Sequence, residues 1–257
     1  MSPLRFTCGL LAALVLLLPS LAQSRTLAEA RALGTFSICA HPDALPFAKD
    51  KGPVRGFQVE LGEALAKALG LGFEAKWIIP SYRARLVDCD AKMDFIVQGY
   101  DDESKVQLSR PYARGGVALA IGPGHDELRD FRTVVPGRKI GTMVNSMPSV
   151  ILQKRGWLTS PYAFEDDMIE DLEKNEIAGG AISLNKIQWY LKLNPSSRIR
   201  FIHAYDGEED MSWTLAVGLR RADQPMVDAV NEALQRLMND GTIEGIYGRY
   251  GIAWRRP

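Results

Sequence analysis

Residues able to do bond-making chemistry are sparse in this chain and poorly grouped. His41, His125 and His203 are the whole histidine complement, and their separation gives no pair with metal-ligand spacing. There is no G-x-S-x-G elbow, no cysteine–histidine context and no glycine-rich phosphate loop. Asp101-Asp102-Glu103 could supply an acid or an electronegative lip, although a solvated charged loop is the plainer meaning. Asn145-Ser146, just ahead of Pro148, sets backbone N–H groups and a hydroxyl at a helix start, which suits either a polar ligand or a simple cap. The densest group is Cys39-Ala40-His41-Pro42-Asp43-Ala44-Leu45-Pro46-Phe47, which joins an acid, a rigid turn and an aromatic ring. This is the chemistry of holding a small molecule. We expect no catalytic residue, no metal and no cofactor.

Composition excludes other classes. Thirty-one basic residues balance thirty-one acidic ones, and no basic run is interleaved with aromatics, so nucleic acid is not an expected partner. Arg5, the apolar run Leu10 to Leu18 and the small residues of Pro19-Ser20-Leu21-Ala22 make residues 1–22 a secretory signal peptide. Its core is short for a membrane span, although an uncleaved anchor is the alternative. Export leaves Cys39 and Cys89 in an oxidising compartment, either as one disulfide or as two buried thiols.

The elements that must position these residues alternate. Leu27 to Leu33 reads as a short helix, and Thr35 to Ile38 as a strand feeding the Cys39–Phe47 loop. Apolar residues at 57, 61, 64, 65, 68 and 69 follow a helical period that stops at Gly70. Phe73 to Ile79 reads as a strand, Pro80-Ser81 opens a second amphipathic helix carrying Tyr82, and Met93 to Val97 is a third strand ending in Gln98-Gly99-Tyr100. Glycines bracket a strand at 115–122. A second αβ set follows: strands at Lys139 to Met143, near Tyr162 and at Gly180 to Ser183, with helices from Ser146, over Asp166 to Lys174 and near Lys186 to Leu191. The strand Thr214 to Leu219 leads to a helix over Pro225 to Met238 and a last short helix bearing Ile243, Ile246 and Tyr247. Such alternation predicts an α/β architecture with mainly parallel sheets flanked by helices. Two similar αβ sets and two strand crossings predict two lobes, with residues 27–118 plus 219–257 in one and 119–218 in the other. A single doubly wound domain is the simpler alternative.

Several motifs then carry a resemblance over nearly the whole mature chain. Leu45-Pro46-Phe47 precedes Gly56-Phe57-Gln58-Val59-Glu60-Leu61, which runs on to Ala68-Leu69-Gly70. Lys92-Met93-Asp94-Phe95-Ile96-Val97-Gln98-Gly99 and Leu108-Ser109-Arg110-Pro111-Tyr112 follow. Ala216 to Asp223, Asn231-Glu232-Ala233-Leu234 and Asp240-Gly241-Thr242 close the series. In order and spacing these resemble the family 3 extracytoplasmic solute-binding proteins, of the type II periplasmic binding fold. The resemblance implies a clamshell with two hinge crossings, a periplasmic location, a monomer, and delivery of a small-molecule ligand to an ABC transporter permease. It places ligand contacts at Asp43, Phe47, Tyr82, Gln98, Gly99, Tyr100, Asn145 and Ser146.

Departures from the family pattern narrow the ligand. Amino-acid-binding members carry an arginine after the G-x-x-D strand to fork the α-carboxylate, and an aspartate after the lobe-two strand to hold the α-ammonium. Here no arginine lies between Gly99 and Ser109, and Ala181-Ile182-Ser183-Leu184-Asn185 has leucine where the aspartate would be. A buried zwitterion without partners costs several kcal/mol per ion, so a standard amino acid is not the expected ligand. The acidic run 101–103 points instead to a cationic or hydroxyl-rich one. The form Cys-Ala-x-Pro-Asp-x-Leu-Pro-Phe also looks like the branch associated with periplasmic quinoprotein alcohol dehydrogenases. There the second cysteine directly precedes the strand aspartate, whereas here that place is Met93 and Cys89 lies one helical turn earlier. That branch implies a non-catalytic accessory protein of a PQQ-dependent dehydrogenase. Dehydratases of cyclohexadienyl acids share the fold too, but they need the missing arginine.

Overall fold

The protein is described from a computed structural model, over residues 25–79, 89–97, 106–220 and 222–257. Helix α1 (Leu27–Leu33) opens on a capping box. Thr26 accepts from the Glu29 N–H, and the Glu29 carboxylate accepts from the Thr26 N–H at 2.8 Å. Gly34, left-handed at φ 68°, turns the chain into β1 (Thr35–Ala40). The lip loop that follows is a small hairpin, β2 (Asp43–Ala44) with β3 (Ala48–Lys49), and the Leu45–Pro46 bond within it is cis. Helix α2 (Phe57–Ala68) is locked to this loop: Phe57 N–H donates to the Pro46 carbonyl and Gln58 N–H to the Phe47 carbonyl, both at 2.9 Å. Gly56 makes the approach possible. A Cβ there would lie 2.3 Å from the Phe47 carbonyl oxygen, and its φ of 94° is one that side-chain-bearing residues avoid.

β4 (Gly72–Trp77) and β5 (Ala91–Ile96) flank β1, both parallel to it. The Cys39–Cys89 disulfide joins β1 to the residues leading into β5, with Cα atoms 5.6 Å apart. Beside it, buried Asp90 accepts from the Ser37 N–H and Oγ at 2.7 Å and from Arg25 at 3.3 Å. β6 (Val106–Leu108) precedes β7 (Ala113–Ile121), the first long crossing strand. The second αβ set comprises β8 (Lys139–Met143), α3 (Met147–Lys154), β9 (Leu158–Tyr162), α4 (Glu165–Glu173), β10 (Gly179–Ser183) and α5 (Leu184–Leu193). β11 (Arg200–Ile202) and two 3-10 turns lead to β12 (Ser212–Arg220), the second crossing. Helices α6 (Gln224–Asn239) and α7 (Thr242–Arg249) complete the fold.

The strands run in the order β4-β1-β5-β12-β7-β10-β8-β9. Pairing is parallel in each outer part and antiparallel where the crossings meet each other and their neighbours. Two hydrophobic clusters result. One gathers α1, α2, β1, β5, α6 and α7 around Phe36, Phe57, Leu61, Val217 and Ile243. The other gathers α3, α4, β8, β10 and α5 around Leu119, Phe131, Ile140, Met168 and Ile187. Trp213 packs against both. The architecture is α/β and two-lobed, as the alternating pattern predicts. The short strands β2, β3, β6 and β11 are additions to that pattern, and α5 begins at Leu184, directly off β10, earlier than its apolar spacing suggests. The expected helix from Pro80 lies outside the described residues.

Candidate functional site

A cavity of about 230 Å³ opens between the two clusters. Phe47, Gln58, Asp94 and Ile96 line it from the first, and Ser183, Leu184 and Asn185 from the second. Gly115, Gly116, Trp213 and Leu215, on the two crossing strands, form its base. No lysine or arginine is among these described wall residues.

Phe47 is held as a wall by a row of rings: Phe57 stands 5.2 Å from it, and Tyr247 stands 4.7 Å behind Phe57. Gly115 and Gly116 keep the base open for large neighbours. A Cβ on Gly116 would lie 2.4 Å from the Tyr205 ring, and one on Gly115 would lie 2.9 Å from the Trp213 indole nitrogen.

Asp94 reaches the cavity through an irregularity. Ala216 faces Phe95 while Gly218 faces Lys92, so β5 carries one residue more than β12 over this stretch. This is a bulge, and Asp94 takes a φ of 53° within it. Tyr112 Oη donates to one carboxylate oxygen of Asp94, with Tyr247 Oη more distantly placed at 3.5 Å. Gln58 Nε2 donates to the other at 2.7 Å. Burial pushes the Asp94 carboxyl above its ordinary range, against the opposing effect of these hydrogen bonds. Burial and the neighbouring carboxylate likewise raise the Tyr112 phenol. Every donor on Asp94 here is neutral, and among the described residues no ion pair is formed with it.

A second half-buried acid stands behind the opposite wall. Glu165, at the start of α4, accepts from the Ser183 N–H at 2.6 Å and from Ser183 Oγ at 2.8 Å. Burial raises its carboxyl as well, opposed by those two bonds and by the charge of Lys186. The Ser183 hydroxyl has one proton and gives it to Glu165, so toward the cavity this oxygen can only accept. Leu184, buried at the first position of α5, occupies the place where amino-acid-binding members carry the ammonium-holding aspartate.

Of the residues singled out from sequence, Phe47 lies on the cavity wall. Asp43 is exposed on the hairpin, where Lys49 bonds it at 2.8 Å and, through that bond and its charge, holds the carboxyl below the usual range. Ser146 caps α3: its Oγ donates to the Met143 carbonyl at 2.6 Å and accepts from the Ser149 N–H. Exposed Asn145, at φ 55°, makes the turn into that cap. Tyr82, Gln98, Gly99 and Tyr100 lie outside the described residues, as does the acidic run 101–103. Asp94, Ser183 and Trp213 are site residues that pattern reading passed over. Asp94 had a signal, as an acid inside the otherwise apolar run Met93 to Val97.

The description "Bacterial extracellular solute-binding proteins, family 3" matches residues 36–253. The L-cystine-binding protein TcyJ of Escherichia coli is 22% identical over 205 residues, covering 78% of this chain and 75% of that protein. Among solved structures, the "Ancestral Cationic Amino Acid Solute Binding Protein (AncCDT-1)" superposes with a TM-score of 0.72 at 19% identity, covering 87% of this chain and 98% of the other. MxaJ from Methlophaga aminisulfidivorans gives 0.69 at 18% identity, over 85% and 99%. Among the described residues no helix is long and apolar enough to cross a membrane.

Proposed function

The chain belongs to the family 3 bacterial extracellular solute-binding proteins, and from that premise we propose that it is a periplasmic receptor which closes on a small polar ligand other than a standard amino acid. The lobes would comprise residues 27–118 plus 219–257 and residues 119–218, with β7 and β12 as the hinge. Residues 1–22 would be removed on export, and the loaded monomer would dock on an ABC-type permease. It would act without catalysis. The observation that carries this reading is the cavity itself, which takes one wall from each hydrophobic cluster and its base from the crossing strands. Binding there desolvates a ligand from both sides and ties it to lobe closure. Leu184 at the lobe-two wall argues against an α-ammonium anchor. Thermal unfolding with a broad panel of amines, polyols, sugars, amino acids and carboxylates tests the reading, paired with small-angle X-ray scattering for closure. A stabilising compound that also shrinks the radius of gyration is the expected result. Silence across the panel would reject it.

A second reading has one observation in its favour. The lip loop has the Cys-Ala-x-Pro-Asp-x-Leu-Pro-Phe form, and its cysteine is bonded to Cys89. In this reading the protein assists a periplasmic PQQ-dependent alcohol dehydrogenase. Loss of that dehydrogenase activity in a deletion strain, with no loss of solute uptake, would favour it.

A further inference from the structure

We infer that the cleft selects a small organic monocation with no carboxylate, its ammonium held on Asp94 and its body between Phe47 and Trp213; this rests on the clamshell reading above. The argument begins with what each wall can offer. Asp94 brings a carboxylate to the cavity, and its hydroxyl and amide donors are neutral; Lys92 acts on it only through its charge, and no ion pair to it is formed among the described residues. A half-buried acid in that condition is one to which a cation adds an ion pair and charge-assisted hydrogen bonds. Facing it, Ser183 presents an oxygen whose proton is committed to Glu165, so it too accepts. The Asp94 carboxylate and the Ser183 oxygen therefore each take a donor from the ligand.

The same wall limits the charge to one. The first turn of α5 begins at Leu184, and the partial positive charge of a helix start disfavours a second cationic group beside it. A neutral acceptor, such as a hydroxyl or ether oxygen, suits that end. A carboxylate has no arginine or lysine partner among the described wall residues and would lie in a cavity already holding Asp94. Phe47 and Trp213 offer aromatic surface on which an alkyl or aryl group and an ammonium both rest favourably.

The test uses matched series on the purified protein: n-butylamine, 1-butanol and norvaline, then phenethylamine, 2-phenylethanol and phenylalanine. Within each series the carbon frame is shared, while the charge changes from cation to neutral to zwitterion. The amines are expected to raise the melting temperature and the alcohols and amino acids to leave it unmoved. Asp94→Asn should weaken amine binding by on the order of tenfold or more in titration calorimetry. Should that variant not fold, the wild-type series still decides. Equal stabilisation by the alcohols, or stronger stabilisation by the amino acids, would overturn the inference while leaving the clamshell reading intact. Silence of the amines alongside binding of sugars or carboxylates from the broad panel does the same. If the whole panel is silent, the clamshell reading fails as well.

Discussion

Asp94 and Glu165 are two half-buried acids on opposite sides of one cleft, and they are handled differently. Asp94 is aimed into the cavity by a strand bulge and is steadied by the tyrosine hydroxyl of Tyr112 and the amide of Gln58. Glu165 is set back one layer, and both its oxygens are taken by Ser183. The first lobe thus offers a charge, and the second offers the lone pairs of a hydroxyl whose direction the Glu165 carboxylate fixes. A cleft built so can grip hard from one side and orient from the other. The surroundings differ in the same sense. The first lobe is cross-linked by Cys39–Cys89, whereas the second is pinned near its 3-10 turns by Glu208, which accepts from Arg155 at 2.7 and 3.0 Å and from Arg132 at 2.9 Å.

The comparison can be broken most severely at the cross-link. Replacing Cys39 and Cys89 with serine releases a closure spanning 50 residues, which chain entropy values at about 4 kcal/mol. Denaturant unfolding should show that loss, with the first lobe unfolding at lower denaturant. Next is Asp94→Ala, which strips the acceptor from Tyr112, a side chain with 0% exposure, and from Gln58. A cost of about 3 kcal/mol is expected in the same measurement. Glu208→Gln keeps the shape but weakens the hold on Arg155 and Arg132, for about 2 kcal/mol.

The smallest effect is the most discriminating, because it concerns sign. Burial raises Glu165, so its contribution to stability is fully present below the ordinary value of 4.5 and is lost as pH rises through its folded value. Glu165→Gln should flatten that part of the stability–pH curve. Burial also pushes Glu208 up, but the hydrogen bonds and charges of Arg155 and Arg132 outweigh it and leave the carboxyl below 4.5. Its contribution is present above 4.5 and disappears as pH falls through the folded value. Glu208→Gln should remove an acid-side loss where Glu165→Gln removes a neutral-side one. Melting temperatures from pH 3 to pH 8 read both.

Much of the frame was legible because periodicity and glycine stops are local signals. Helix α2 follows its apolar spacing and ends where Leu69-Gly70 turns the chain. The crossing strands showed themselves by bracketing glycines, and β8 falls on the predicted Lys139 to Met143. The cleft was less legible, for physical reasons. Strand alternation assumes one residue per step, and the extra residue of β5 re-aims Asp94 in a way alternation cannot register. Around Ser183 the sequence shows only that no aspartate follows it; the coupling of Ser183 to Glu165 spans 18 residues and exists only once α4 packs on β10. Strands such as β6 and β11 are too short to carry a period, and they form because β12 and β7 offer them an edge.

The last residues of the chain have a mechanical meaning. Arg255 O accepts from the N–H of Arg114 on the edge of β7 away from β12, and the indole N–H of Trp254 donates to the Tyr112 carbonyl. The segment then reaches over the second cluster: Ala253 N–H bonds Gln188 of α5, and Arg255 bonds Tyr205 and Asp206. The two halves are thus bound along one side by three lengths of backbone, laid side by side like the sewn back of a book. In the closure proposed above, this side is the axis on which the lobes would turn.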